Sequence, residues 1–316
     1  MRQTRRWQTR MILPMAMMLL AGILFASCKE GPSKNPERSV YFWSTTFELD
    51  STQYDFLHRC DIHKIYLRFF DVVTTDAGEV MPNATVRFVS PQPDSVEIIP
   101  TVFITNDCML HAPDDLPDKL LSRILQICET HDITGVREIQ IDCDWSNRTQ
   151  KAYFAMLDRL SEAAREQGIV ISATIRLHQL SLKVPPVERG VLMMYNTGDI
   201  KNADRNPILD LRDVAPYIKH LDNYSLPLTT AYPIFSWDLL YRGQRLVGIM
   251  HSDDDLPVIP GDTIIHHEVS VDEVLKAKQQ VNKHNPRAND GIILFDLSKK
   301  NINNKNHHEY EKIFSD

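Results

Sequence analysis

The sequence predicts an α/β protein built as a single (β/α)8 barrel, and three observations carry that prediction. Short apolar runs alternate with amphipathic stretches from residue 40 onward. Eight of those runs have strand character and fit within about 270 residues, the length of one such barrel. Several of them also place polar residues at every second position, as strands do when one face looks into a polar lumen.

The expected strands are Val40–Phe47, Lys64–Val73, Val96–Thr105, Glu138–Trp145, Val170–Leu180, Gly190–Thr197, Leu228–Leu240 and Gly291–Leu297. Helices fall between them, most clearly at Leu116–Thr130, Gln150–Gln167 and Val271–Lys283, with apolar residues at i, i+3, i+4 and i+7. In the second of these, Tyr153, Met156, Leu157, Leu160 and Ala164 share one face. Asp50 and Ser270 stand where N-caps belong. A doubly wound open sheet is the alternative architecture, but no Gly-rich phosphate turn follows the first strand. After Leu240, the run Tyr241 to Met250 reads as a β-hairpin turning at Arg242-Gly243, followed by an acidic, Pro-containing loop from Ser252 to Asp262. In a barrel this β-hairpin/loop insertion follows strand seven beside the mouth, either as a lid or substrate wall or as a surface decoration. Asp253-Asp254-Asp255 lacks the spacing of a calcium loop and reads as solvated charge.

Composition narrows the function classes. With 316 residues, 43% hydrophobic and 24% charged, the chain is an ordinary folded protein, and 11 Gly, 18 Pro and 5 Cys exclude collagen-like and disulfide-stapled classes. A net charge of −7 argues against nucleic acid as a partner. The first 27 residues carry four Arg and no acid, then an apolar run from Met11 to Ala26. That run is shorter than the roughly 20 residues a membrane-spanning helix needs, so residues 1–27 read as a signal peptide. Leu24-Phe25-Ala26-Ser27-Cys28 resembles a bacterial lipobox, which implies a lipidated Cys28 and a membrane partner through an N-terminal lipid anchor. Residues 28–39 are expected to form a flexible tether and residues 40–316 the barrel, at the bacterial cell envelope, on the outer membrane. Cys60, Cys108, Cys128 and Cys143 show no CxxC pairing and no His at zinc spacing. The expected compartment permits disulfides among them, with buried free thiols as the favoured reading, and no metal and no cofactor are expected.

The segment Glu138 to Trp145 bears the strongest chemical signal. Alternation puts Gln140, Asp142 and Asp144 on one face and Ile139, Ile141, Cys143 and Trp145 on the other. The apolar face must meet the helices, so the carboxylates point into the barrel, where they are costly unless hydrogen-bonded or functional. Two inward carboxylates this close would separate in pKa, preparing one as acid and the other as base or stabiliser. The competing reading is a structural polar cluster with Lys64, Arg68 or Arg176. Asp144 lies at the strand's C-terminal end, where barrel enzymes keep their sites. The fifth strand offers Ser172, Thr174, Arg176 and His178 on its inner face, and the sixth ends in Tyr195-Asn196. Trp43 ends the first strand, Asp71 comes at the end of the second, Tyr232, Trp237 and Asp238 belong to the seventh, and Asp296 to the eighth. Rim aromatics (Trp43, Tyr195, Tyr232, Trp237) suit the faces of sugar rings, and the carboxylates, Arg and Asn suit their hydroxyls.

Asp142-Cys-Asp-Trp145, Met194-Tyr195-Asn196, Tyr232-Pro233 and Gly291…Phe295-Asp296 follow, in order, the strand signatures of chitinase-like barrels. The chain therefore resembles glycoside hydrolase family 18 over most of residues 40–298. It is also similar to a group of bacterial barrel proteins sharing a Gln-x-Asp-x-Asp fourth strand, a group without established activity that implies fold alone. The resemblance implies a carbohydrate ligand, with Asp144 assisting a substrate acetamido group and Tyr195 hydrogen-bonding to it. Two departures stand out. The family's proton-donating Glu, two positions after the last Asp, is Ser146 here, and the third-strand Ser-x-Gly-Gly is replaced by Thr105-Asn106-Asp107. Two functional readings follow: a glycosidase in which Asp144 is the acid and Asp142 tunes it, or a non-catalytic glycan-binding lipoprotein. A metal-dependent hydrolase using Asp142, Asp144 and His178 is a third idea, without a His-x-x-x-His motif to support it.

Overall fold

The computed structural model describes residues 35–202, 204–250 and 256–315. The signal segment, Cys28 and Asp253-Asp254-Asp255 lie outside the described residues. Eight parallel strands form the barrel: β1 (Glu37–Phe42), β2 (Lys64–Thr74), β3 (Glu97–Ile104), β4 (Glu138–Asp142), β5 (Val170–Ile175), β6 (Arg189–Met193), β7 (Leu228–Pro233) and β8 (Gly291–Phe295). Each pairs with its neighbour in chain order, and β1 pairs with both β2 and β8, which closes the sheet. A short strand, Val80–Asn83, adds antiparallel to the far end of β2.

The wall follows from the alternation. Ile139 and Ile141 of β4, and Ile171, Ala173 and Ile175 of β5, are fully buried on the helix side, while Thr101, Gln140, Ser172 and Thr174 are fully buried polar residues of the alternate row. Outside the strands run α1 (Ser51–Arg59), α2 (Leu116–Thr130), α3 (Gln150–Glu166), α4 (Leu211–Ile218), α5 (Val271–His284) and α6 (His307–Ser315). Asp50 and Ser270 each close a capping box, on α1 and α5. Trp145, just past β4, has no exposed surface and packs against Tyr153 and Phe154 of α3 at centroid separations of 6.1 and 5.1 Å. Between β7 and α5 the chain forms a three-stranded antiparallel sheet, with Ser236–Arg242 in the centre and Arg245–Met250 and Asp262–Glu268 on its flanks.

Several boundaries differ from the sequence expectation, each for a local reason. β1 begins at Glu37, whose N–H donates to the Asp290 carbonyl at 2.8 Å, so residues 37–39 belong to the barrel rather than to a tether. β5 stops at Ile175 because Gln179 turns back: its Oε1 accepts from the Arg176 N–H and its Nε2 donates to the Trp145 carbonyl, closing a 3-10 turn over Leu177–Ser181. The run Leu228–Leu240 is two strands, since Pro233 ends β7 and the Ile234 N–H crosses to the Phe295 carbonyl before the antiparallel sheet starts. β2 carries a bulge between Arg68 and Phe70, which shifts the alternation so that Arg68 and Asp71 meet.

Candidate active site

The polar residues of β4, β5 and β6 converge at the C-terminal mouth. Asp142, at the end of β4, is buried and accepts from Thr174 Oγ1 at 2.6 Å and from Arg176 Nη2 at 3.0 Å. The guanidinium also contacts Met193 Sδ. Burial works against the charge of Arg176, but the Asp142 carboxylate beside it holds the group above its ordinary pKa. Asp142 is therefore a neutralised, fixed anion. Beneath it, the Tyr41 hydroxyl donates to Gln140 Oε1 at 2.8 Å.

Asp144 lies one level higher. Its side chain is 59% exposed and sits 3.5 Å from His178 Nε2. Asp144, Arg176, His178, Tyr195 and Asn196 line one cleft of about 290 Å³, together with Met193 and Tyr217 among others. The Tyr195 hydroxyl is buried and has no hydrogen-bond partner among the described residues. Burial pushes its pKa well up, so it stays a protonated donor. Asn196 adopts the left-handed backbone at φ +53° and leaves its side chain in solvent at the rim. Ser146 does not line the cleft: its Oγ lies 3.5 Å from Thr149 Oγ1, which also accepts from the Ser146 backbone N–H at 3.0 Å.

The remaining expected site residues fall elsewhere. Trp43 and Asp296 line a second cleft of about 290 Å³ between the ends of β1 and β8, with Gln53, Ser298 and Lys299. Burial raises the Asp296 carboxyl above its ordinary pKa, opposed by hydrogen bonds from Ser298 and Asn301. Asp71 lies within β2, paired to Arg68 with Nε to Oδ1 at 2.7 Å, and Arg68 stacks 5.6 Å from the Trp43 ring centroid. Trp237 and Asp238 belong to the antiparallel sheet, not to β7. There Asp238 bonds His266 Nδ1 at 2.7 Å across the strands. Tyr232 is not a rim aromatic: it is fully buried and its hydroxyl donates to Asn289, on the turn that precedes β8. His178 belongs to the 3-10 turn rather than to a strand.

An aromatic chain links these regions at the mouth. Trp43 meets Phe295 at 5.7 Å, Phe295 meets Tyr195 at 4.9 Å and Phe235 at 5.7 Å, and Phe235 meets Trp237 at 5.5 Å. Two larger hollows lie off the mouth. One, of about 720 Å³, sits between the C-terminal half of α1 and the loop before β3, and one of about 480 Å³ sits between Val80–Pro82 and α2. Neither gathers the polar residues of the strand ends. Tyr41, Met193 and Tyr217 join the site beyond the expected set. Tyr41 could have been found from its place two residues before Trp43, whereas Tyr217 of α4 gave no signal.

No protein-family model matches the chain, and no curated protein is similar to it. Solved structures do match. A chitinase from Bacteroides thetaiotaomicron superposes with a TM-score of 0.58 at 12% identity, over 89% of this chain and 97% of that one. The spore cortex-lytic enzyme SleL of Bacillus cereus gives 0.57 at 13%, over 88% and 74%. The GH18 chitinase ChiB from the chitin utilization locus of Flavobacterium johnsoniae gives 0.52 at 12%, over 88% and 94%. At such identities the likeness is one of fold, and the fold of this chain is that of the chitinase-like (β/α)8 barrels.

Proposed function

We propose that this protein recognises a glycan at the C-terminal mouth of its barrel, and that it binds without ordinary chitinase-type hydrolysis. The observation that carries this reading is the cleft beside Tyr195. A buried hydroxyl without a partner among the described residues, the exposed Asp144 carboxylate, His178 and Asn196 together offer the donors and acceptors that sugar hydroxyl and acetamido groups need. The fold likeness to chitinases supports carbohydrate as the ligand class. Against hydrolysis stand Ser146 at the proton donor's position and the Asp142–Arg176 pair, which commits the inner carboxylate to a guanidinium 3.0 Å away. In this reading residues 1–27 are cleaved and a lipid on Cys28 holds the barrel at an envelope membrane.

A second reading, a glycosidase with Asp144 as the acid, is favoured by one observation: Asp144, two residues past the end of β4, is the carboxylate that reaches the cleft, with an imidazole 3.5 Å away. Product release from N-acetylated oligosaccharides and peptidoglycan fragments separates the two. Binding without products supports the first. Cleavage that disappears in Asp144→Asn, with the melting temperature unchanged, overturns it in favour of the second.

A further inference from the structure

We propose that Cys60, His307 and Glu311 form a zinc-binding site that fastens the C-terminal helix to the barrel, separate from the mouth and independent of its ligand. Cys60 caps the C-terminus of α1. His307 is the first residue of α6 and Glu311 lies four residues on, so both project from one face of that helix. One donor atom from each of the three residues falls within 4.8 Å of the other two. These are a thiol, an imidazole and a carboxylate, and the soft sulfur with the imidazole favours zinc over calcium or magnesium.

The separations suit a shared metal. Cys60 Sγ and His307 Nδ1 are 3.9 Å apart. A tetrahedral zinc with sulfur at about 2.3 Å and nitrogen at about 2.0–2.1 Å holds those atoms about 3.6 Å apart. A small rotation of the exposed His307 closes the difference. Arg38 supplies the outer support that metal-bound carboxylates usually have. Its guanidinium donates to Glu311 Oε1 at 2.7 Å and Oε2 at 3.1 Å, and to the Cys60 carbonyl at 2.9 Å. The carboxylate is thereby held beside the sulfur by a residue of β1. On binding, the Cys60 thiol gives its proton to solvent as the Zn–S bond forms, and thiolate and carboxylate together balance the charge of Zn2+. Cys60 is buried, His307 exposed and Glu311 half-buried, so the fourth position opens to water. Because Cys60 and His307 are 247 residues apart, no short spacing motif could reveal the site.

The test is metal analysis and Co2+ substitution of the whole protein. We expect about one equivalent of Zn2+ to survive dialysis, and the Co2+ form to show thiolate-to-cobalt charge-transfer absorption. At a hundredfold excess over Kd, zinc should raise Tm by roughly 5 °C. Cys60→Ser should remove the charge-transfer band, and His307→Ala, at an exposed position that the fold does not need, should abolish Zn2+ retention. Absence of zinc uptake by the unaltered protein would overturn the proposal. So would uptake that both substitutions leave unchanged.

Discussion

Replacing Tyr195 by Phe tests whether the mouth holds a hydroxyl kept for a ligand. The ring is buried against Phe295 and Phe235, at 4.9 and 6.0 Å, so Phe preserves its packing. The hydroxyl has no protein partner among the described residues, and an unsatisfied buried polar group costs about 1–3 kcal/mol. The cleft beside it admits water, so the lower end applies. Tyr195→Phe should then stabilise the protein by about 1 kcal/mol, a Tm increase of roughly 2–4 °C. With a glycan bound, the same hydroxyl donates one hydrogen bond, and its loss should weaken binding about threefold to tenfold. Urea denaturation measures the first effect and titration calorimetry the second. A gain in stability with a loss of affinity is the signature of a group held for function. If Tyr195→Phe instead destabilises the fold by more than about 1 kcal/mol, the hydroxyl has a structural partner and the reasoning fails.

Other outcomes follow from the same geometry. Arg176→Met leaves Asp142 buried without its cation; at 3.0 Å and an effective dielectric near 20 the lost attraction is about 5.5 kcal/mol gross, and a net loss of about 3 kcal/mol is expected in denaturation. Adding Asp142→Asn should recover part of it, and a double variant no better than the sum of the singles would contradict the pairing. Asp296→Asn keeps the acceptor used by Ser298 and Asn301 but removes a carboxyl whose pKa is raised by burial. A raised folded-state pKa means that the folded form holds its proton longer than the unfolded form, so stability falls as pH rises above the ordinary aspartate pKa of about 3.9. The variant should therefore match the parent near pH 4 and exceed it near pH 7, and equal behaviour at both would refute the assignment. Ser270→Ala removes the capping box of α5 and should cost about 1 kcal/mol without affecting any ligand.

Much of this arrangement was legible in the residues. The alternation of Gln140, Asp142 and Asp144 against Ile139, Ile141 and Cys143 placed the polar row inside, and the buried Ile side chains and the Asp142–Thr174 bond have that sense. Cys60, Cys108, Cys128 and Cys143 are buried and form no disulfide with one another, one of the two states their spacing left open. What alternation could not show was where a strand stops. Arg176 and His178 continue a period of two, yet a single side chain, Gln179, turns the backbone at that point and puts His178 on a turn. Tyr232 failed for a related reason. An aromatic before Pro233 looks like a rim residue, but its parity on β7 directs it to Asn289 in the outer layer. The bulge in β2 was equally invisible, since an extra residue leaves no compositional mark, and it is what brings Asp71 onto Arg68. The pairing of Asp142 with Arg176 appeared in the sequence only as one structural alternative among several cations, because long-range partners cannot be chosen without the barrel's stagger.

The most direct measurement of the central claim is titration calorimetry with a panel of N-acetylated oligosaccharides and peptidoglycan fragments, run beside product analysis on the same samples. Asp144→Ala serves as the mouth variant, because the side chain is exposed and its loss leaves the fold intact. The account predicts that at least one glycan binds, that it is recovered uncleaved, and that Asp144→Ala weakens it. No binding across the panel, or binding that Asp144→Ala leaves unchanged, would contradict the claim that the C-terminal mouth is a glycan site.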